Sequence, residues 1–144
     1  MHRIEELKKR FEKELSKTKM GASLDELSED FAVVSAPVTP DMLIVEGIVQ
    51  GGIITTIVDF AGVYAAMTRI SSGHTPAAHI AIDFVRPIKF GEIIKAVANV
   101  TIIETRSSLW VDVIVYGNSD IKNDKIRAHA KIHFTKPKPI AAKL

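Results

Sequence analysis

The stretch from Gly47 to Ile70 constrains this chain more than any other. A glycine pair, Gly51 and Gly52, opens a run from Ile53 to Ile70 in which Asp59 is the only carboxylate and Arg69 the only other charge. Such a run has no polar face to offer water, so a folded domain buries it on all sides. A carboxylate buried without a partner costs several kcal/mol or takes up a proton. Asp59 therefore has a partner or faces a cavity that receives a ligand.

Local propensities within the run disagree. Ile53 to Val58 is β-branched throughout, which favours a strand. Ala61 to Met67 favours a helix. Length decides, because 18 residues with no breaker except Gly62 exceed an ordinary strand. A helix of that length spans about 27 Å, enough to cross one face of a sheet. Gly51 and Gly52 then sit at its N-terminus, where unpaired N–H groups and the helix dipole favour an anion or a developing oxyanion.

The length of 144 residues predicts one domain, and an apolar fraction of 47% is ample for its core. Nineteen basic and 17 acidic residues leave a net charge of +2, which gives no argument for nucleic acid. The absence of cysteine excludes disulfides, thiol nucleophiles and thiolate metal sites and is compatible with the cytosol. No apolar run reaches membrane-spanning length, and the N-terminus lacks a signal-peptide core. The expectation is a cytoplasmic protein without membrane or nucleic-acid partners.

Residues 3–19 predict an amphipathic helix with Ile4, Leu7, Phe11 and Leu15 on one narrow stripe. Residues 22–38 read as a hairpin turning at Ser28-Glu29-Asp30, followed by a short turn from Asp41 to Val45. After the central run, residues 71–76 form a loop and four strands follow. Ala78 to Val85 places Ile80, Ile82 and Phe84 on one face. Ile93 to Glu104 does so with Ala96, Ala98, Val100 and Ile102. The next strand groups Leu109, Val111, Val113 and Val115. Lys125 to Thr135 points Ile126, Ala128, Ala130, Ile132 and Phe134 inward, with Arg127, His129, Lys131 and His133 outward. One-sided alternation with short connections predicts an antiparallel sheet covered on one face, and the central helix is its cover. The divisions are an N-terminal helix over 1–21, one α+β domain over 22–135 and a proline-containing tail over 136–144.

This order of elements resembles the hotdog fold, and more narrowly the acyl-CoA thioesterases of the phenylacetate-degradation type within the 4-hydroxybenzoyl-CoA thioesterase superfamily. The family pattern Asn-x-x-Gly-x-x-His-Gly-Gly, with an acid about seven residues beyond, is matched by Gly47, Gly51, Gly52 and Asp59. Phe84-Val85-Arg86-Pro87 and Gly91 match a later signature. The resemblance implies hydrolysis of an acyl-CoA to a carboxylic acid and CoA. It implies no cofactor beyond the CoA of the substrate, and a homodimer or dimer of dimers with its site at the subunit interface. The Gly51 N–H would hold the oxyanion, with Gln50 beside it, and Asp59 would act as general base or nucleophile. Gly47, Gly52, Arg86 and His79 are the expected substrate contacts, and Arg86, Lys89 and Arg106 are candidates for the CoA phosphates.

Three positions depart from the pattern: Gln50 stands for the His, Ile44 for the Asn, and Ala77 near a Ser or Thr that positions water. Gln50 can hydrogen-bond but not titrate, and Ile44 and Ala77 offer no side-chain hydrogen bond. These departures open a second reading, a non-catalytic acyl-CoA binder. A hotdog dehydratase or hydratase is a third, disfavoured because no His lies in 45–70. His129 and His133 share a strand face without an acid at matching spacing, so no metal site is expected. His74 reads as a loop residue.

Overall fold

In a computed structural model that describes residues 2–14, 19–70, 76–118 and 120–135, the long apolar run is a helix. It extends over Gly51–Met67 and is called α2 below. Its β-branched first half follows the helical second half, because burial against a sheet outweighs local propensity. Ahead of it come helix α1 (His2–Phe11), the hairpin β1 (Ser23–Ser28) and β2 (Phe31–Pro37), and a 3-10 turn at Pro40–Met42. Behind it come β3 (Ala77–Phe84), β4 (Ile93–Thr105), β5 (Ser108–Tyr116), a 3-10 turn at Ile121–Asn123 and β6 (Ala128–Thr135).

The six strands form one antiparallel sheet in the order β1-β2-β4-β5-β6-β3. This sheet around α2 is the hotdog fold. The inner face is built from small residues at its centre: Ala96 and Ala98 on β4, Ala128 and Ala130 on β6, all buried. They let the helix approach closely, and at Gly62 the helix backbone leaves no room for a side chain. A Cβ added to Gly62 would lie 2.6 Å from Ile132 Cδ1 and 3.2 Å from the Phe134 ring. β3 pairs with β6 on one side, and no described strand pairs with its other side.

The hairpin turns at Glu29–Asp30, as the sequence predicts, with Asp30 at φ 66°. Asp30 also closes the far end of α2: its carboxylate receives two bonds from Arg69, at 2.6 and 2.7 Å, and its N–H donates to Thr68 Oγ1. The second charge of the apolar run is thus neutralised inside the chain.

Helix α1 ends at Phe11, short of the predicted Lys19, and Leu15 lies outside the described residues. It lies on α2. Phe11 meets Phe60 and Tyr64 edge-on at 5.6 and 5.2 Å. Arg3 donates to the Met67 and Ile70 carbonyls, two acceptors that the helix end leaves without intrahelical partners. Residues 71–75 of the predicted 71–76 loop, His74 among them, and the tail at 136–144 lie outside the described residues.

Two inward assignments are corrected. Ile102 is half-exposed and pairs with Trp110 on the outer face, because a bulge between Val100 and Ile102 inverts the alternation there. Ile126 precedes β6, which starts only at Ala128, and is exposed. Arg127 does not join the solvated basic face either. It bonds Glu92 at 2.7 Å and Asp124 at 2.8 Å with its side chain only 14% exposed.

Candidate active site

The glycine turn is held from both sides by backbone bonds. Gly47, at φ 82°, reverses the chain in a conformation that only glycine adopts without strain. Its N–H donates to the Ile44 carbonyl, and the Ile44 N–H donates to the Ile48 carbonyl, both at 2.9 Å. The Val49 N–H bonds the Ile88 carbonyl and the Gln50 N–H bonds that of Met42, again at 2.9 Å. Met42, Val49 and Ile88 are buried, so the chain enters α2 from a fixed position.

Gln50 is the N-cap of α2, and its side chain makes no capping bond. The first intrahelical donors are Ile53 and Ile54, both to the Gln50 carbonyl. The N–H groups of Gly51 and Gly52 donate to no acceptor among the described residues. They are the free positive end of a 17-residue helix. Gln50 lies over Gly52, whose added Cβ would be 3.6 Å from Gln50 Oε1.

A cleft of about 380 Å³ opens at this helix end, lined by Gly51, Ile44, Ile48, Ile54, Phe84 and Val85 among others. Its walls are almost wholly aliphatic or aromatic, a surface for an apolar chain. It reaches Arg86 and Pro87, which also line a neighbouring hollow of about 530 Å³. Lys89, Lys125 and Arg127 join Arg86 in that hollow. Arg127 is committed to Glu92 and Asp124, whereas Arg86, Lys89 and Lys125 have no ion pair among the described residues. Arg106 stands elsewhere. It follows the far end of β4, a strand of 13 residues whose near end adjoins the hollow, a separation of about 40 Å.

Asp59 lies two helical turns beyond Gly51, on the stripe of α2 that its own chain leaves partly open: Thr55, Thr56, Asp59 and Val63 are intermediate in exposure while their neighbours on the other faces are buried. Asp59 Oδ1 is buried and has no hydrogen-bond partner among the described residues. Burial alone raises its pKa. Asp59 is not part of the cleft lining around Gly51.

A family model described as "Thioesterase superfamily" matches residues 46–118, about half of the chain. The chain belongs to the thioesterase superfamily. The matched residues run from the glycine turn through α2, β3, β4 and β5, so the superfamily signal covers both halves of the candidate site. No curated protein matches the chain by sequence. Among solved structures it is similar to the Escherichia coli PaaI protein from the phenylacetic acid degradation operon. That match has 23% identity and a TM-score of 0.80, covering 90% of this chain and 89% of that one. A mutant of the phenylacetic acid degradation protein PaaI from Thermus thermophilus matches with 23% identity and a TM-score of 0.76, over 86% and 100% of the two chains. A thioesterase family protein from Silicibacter pomeroyi matches with 18% identity and a TM-score of 0.78, over 90% and 93%. At these identities the structures establish the shared fold.

Within this superfamily member, then, the fold brings Gly47, Gln50, Gly51, Gly52 and Arg86 to one end of α2. It does not bring His79 there. His79 pairs with His133 and meets Trp110 at 6.4 Å on the outer face of the sheet, because it alternates with Ile80 and Ile82, which face inward. Phe84, Ile48, Ile54 and Val85 were not singled out from sequence as lining residues. For Phe84 the signal was present, since it ends the inward-facing series Ile80, Ile82, Phe84. Among the described residues no group of His, Asp and Glu is placed to hold a metal ion.

Proposed function

We propose that the protein hydrolyses an acyl-CoA thioester, with the Gly51 N–H as oxyanion donor and Asp59 as general base or nucleophile, each supplied by a different protomer. One observation carries this reading. Asp59 has a buried, unpartnered carboxylate oxygen and lies eight residues from Gly51 along a single helix, about 12 Å away. A reacting carbonyl sits about 3 Å from both its oxyanion donor and its attacking group. Gly51 and Asp59 of one chain cannot satisfy that together. Two copies related by a two-fold axis can, with Gly51 of one facing Asp59 of the other, twice over. The outer edge of β3, which no described strand pairs, is a surface along which such copies can join.

In this site the acyl chain occupies the apolar cleft and its carbonyl oxygen takes the Gly51 N–H. The pantetheine leads past Arg86 and Pro87, and the nucleotide phosphates meet Arg86, Lys89 and Lys125. Water or Asp59 itself adds to the carbonyl carbon. In the water route, Asp59 takes the proton, the oxyanion rests on Gly51, and collapse expels the CoA thiolate, which recovers the proton from Asp59. In the direct route Asp59 forms a mixed anhydride that water then opens. No step requires a further cofactor.

Asp59→Asn, assayed on a panel of acyl-CoAs, tests the assignment: turnover should fall about a hundredfold or more with the fold intact. An unchanged rate would remove Asp59 from the mechanism. A second reading is favoured by Ile44, which lines the cleft where the family pattern has an Asn. The protein would then bind acyl-CoA without cleaving it, and saturable binding without turnover on the same panel would select that reading.

A further inference from the structure

Resting on the hydrolase reading for the identity of the ligand, we infer that the hollow beside the cleft binds the adenine nucleotide end of coenzyme A, with the ring of Phe90 as the platform on which the adenine stacks. Phe90 is 61% exposed. A single exposed phenylalanine is ordinary on a protein surface. What sets this one apart is how firmly it is held and what surrounds it.

Phe90 stands at the corner of a four-residue turn. The Glu92 N–H donates to the Lys89 carbonyl at 3.1 Å, and Gly91 takes the positive φ, 91°, that the third position of a type II turn requires. The Glu92 carboxylate reaches back to accept the Lys89 N–H at 2.8 Å. Arg127 donates to that carboxylate and to the Pro87 carbonyl, and Ile88 is fully buried. The Val38 N–H holds the Glu92 carbonyl at 3.1 Å. The chain is thus tied down on both sides of Phe90, and the ring is offered to solvent from a fixed backbone. A preorganised apolar face loses little freedom when a ligand covers it.

The same hollow is lined by Arg86, Lys89, Lys125 and Asn123. Its two carboxylates, Glu92 and Asp124, both bond Arg127, so the other three cations keep their charge for a ligand. Arg86 gives one N–H to the Ile126 carbonyl at 2.8 Å, which fixes the guanidinium and leaves its other N–H groups for an anion. Asn123 gives one N–H to Asp120 at 2.7 Å. Its amide oxygen and second N–H have no other partner among the described residues, and that pair matches the Hoogsteen edge of adenine. A flat apolar ring beside three cations fits a ligand that is aromatic and anionic at once. An aliphatic chain would leave the cations unpaired, and a bare phosphate would leave the ring unused. A nucleotide satisfies both. Because the hollow shares Arg86 and Pro87 with the apolar cleft, one molecule can extend from Phe90 to the thioester at Gly51.

Titration of adenosine 3′,5′-bisphosphate, the nucleotide portion of coenzyme A, into the parent protein, Phe90→Leu and Phe90→Trp tests the platform without turnover. Leucine keeps an apolar side chain and removes the flat ring; tryptophan keeps the ring. We expect Kd to rise about tenfold in Phe90→Leu and to hold in Phe90→Trp. Kinetics read the same contact. The preference for an acyl-CoA over the matching acyl-pantetheine thioester, taken as a ratio of kcat/KM, should fall about tenfold in Phe90→Leu. Should Phe90→Leu fail to fold, Phe90→Ala against Phe90→Trp makes the same comparison. Unchanged Kd and preference in Phe90→Leu, with Asp59→Asn inactive, overturn the platform and leave the hydrolase reading standing. A weakened Kd with an unchanged preference assigns the hollow to a free nucleotide and overturns its link to coenzyme A. Bisphosphate binding through Phe90 in a parent that turns over no acyl-CoA overturns hydrolysis and upholds the nucleotide site.

Discussion

The ring of Phe84 closes over the Cα of Gly51: a Cβ built at Gly51 would lie 3.0 Å from Phe84 Cζ. The ring is half-exposed, so it can yield to an intruding methyl group. Gly51→Ala should therefore cost less than about 1 kcal/mol in chemical denaturation, while turnover falls because the cleft wall beside the oxyanion donor moves. Phe84→Ala should enlarge the cleft and shift preference toward bulkier acyl groups, read as kcat/KM across a series of acyl-CoAs.

A site shared between chains makes a further demand. Gly51→Val and Asp59→Asn should each be inactive alone, yet unfolding and refolding them together should return activity that neither parent has. Mixed dimers hold one intact pair, Gly51 from one chain and Asp59 from the other. No recovery, with mixed dimers demonstrated by mass spectrometry, would place both groups in one chain.

Burial raises the Asp59 pKa, so its stability contribution is fully present below the unfolded-state value and is lost as pH rises through the folded one. Asp59→Asn should accordingly be more stable than the parent at neutral pH, by about 1 kcal/mol, with the gap closing toward acid. The acidic limb of kcat/KM, which reports the carboxylate becoming a base, should lie above the ordinary aspartate value.

Arg127 works with the opposite sign. Its hydrogen bonds hold Glu92 below the usual carboxylate range. Burial pushes Asp124 up, but bonds from Arg127 and from the Gly117 and Lys125 N–H groups outweigh it and leave Asp124 lowered. Depressed carboxylates stabilise above their unfolded pKa values and lose that stabilisation as pH falls through the folded ones. Arg127→Met should melt earlier at neutral pH, and its deficit should shrink below about pH 4. A constant deficit would show that packing, not charge, holds this corner.

At Gly62 the helix rests directly on side chains of β6. Gly62→Val should lower the melting temperature by several degrees, through about 1–3 kcal/mol of overpacking against Ile132 and Phe134.

The long helix, its lone acid and the alternation of β5 and β6 were legible in the sequence because each rests on periodicity within one segment. So was the glycine turn, since a reversal such as that at Gly47 admits few other residues. What the sequence could not settle depends on register between segments. The bulge at Val100 turned Ile102 outward, β6 began only at Ala128 and left Ile126 exposed, and Arg127 found two carboxylates from other parts of the chain. A single inserted residue in a strand inverts every later side chain, and no local pattern announces it. Only the tertiary structure set Phe84 against Gly51 and left Asp59 without a partner on an open stripe, because those relations depend on how helix and sheet pack.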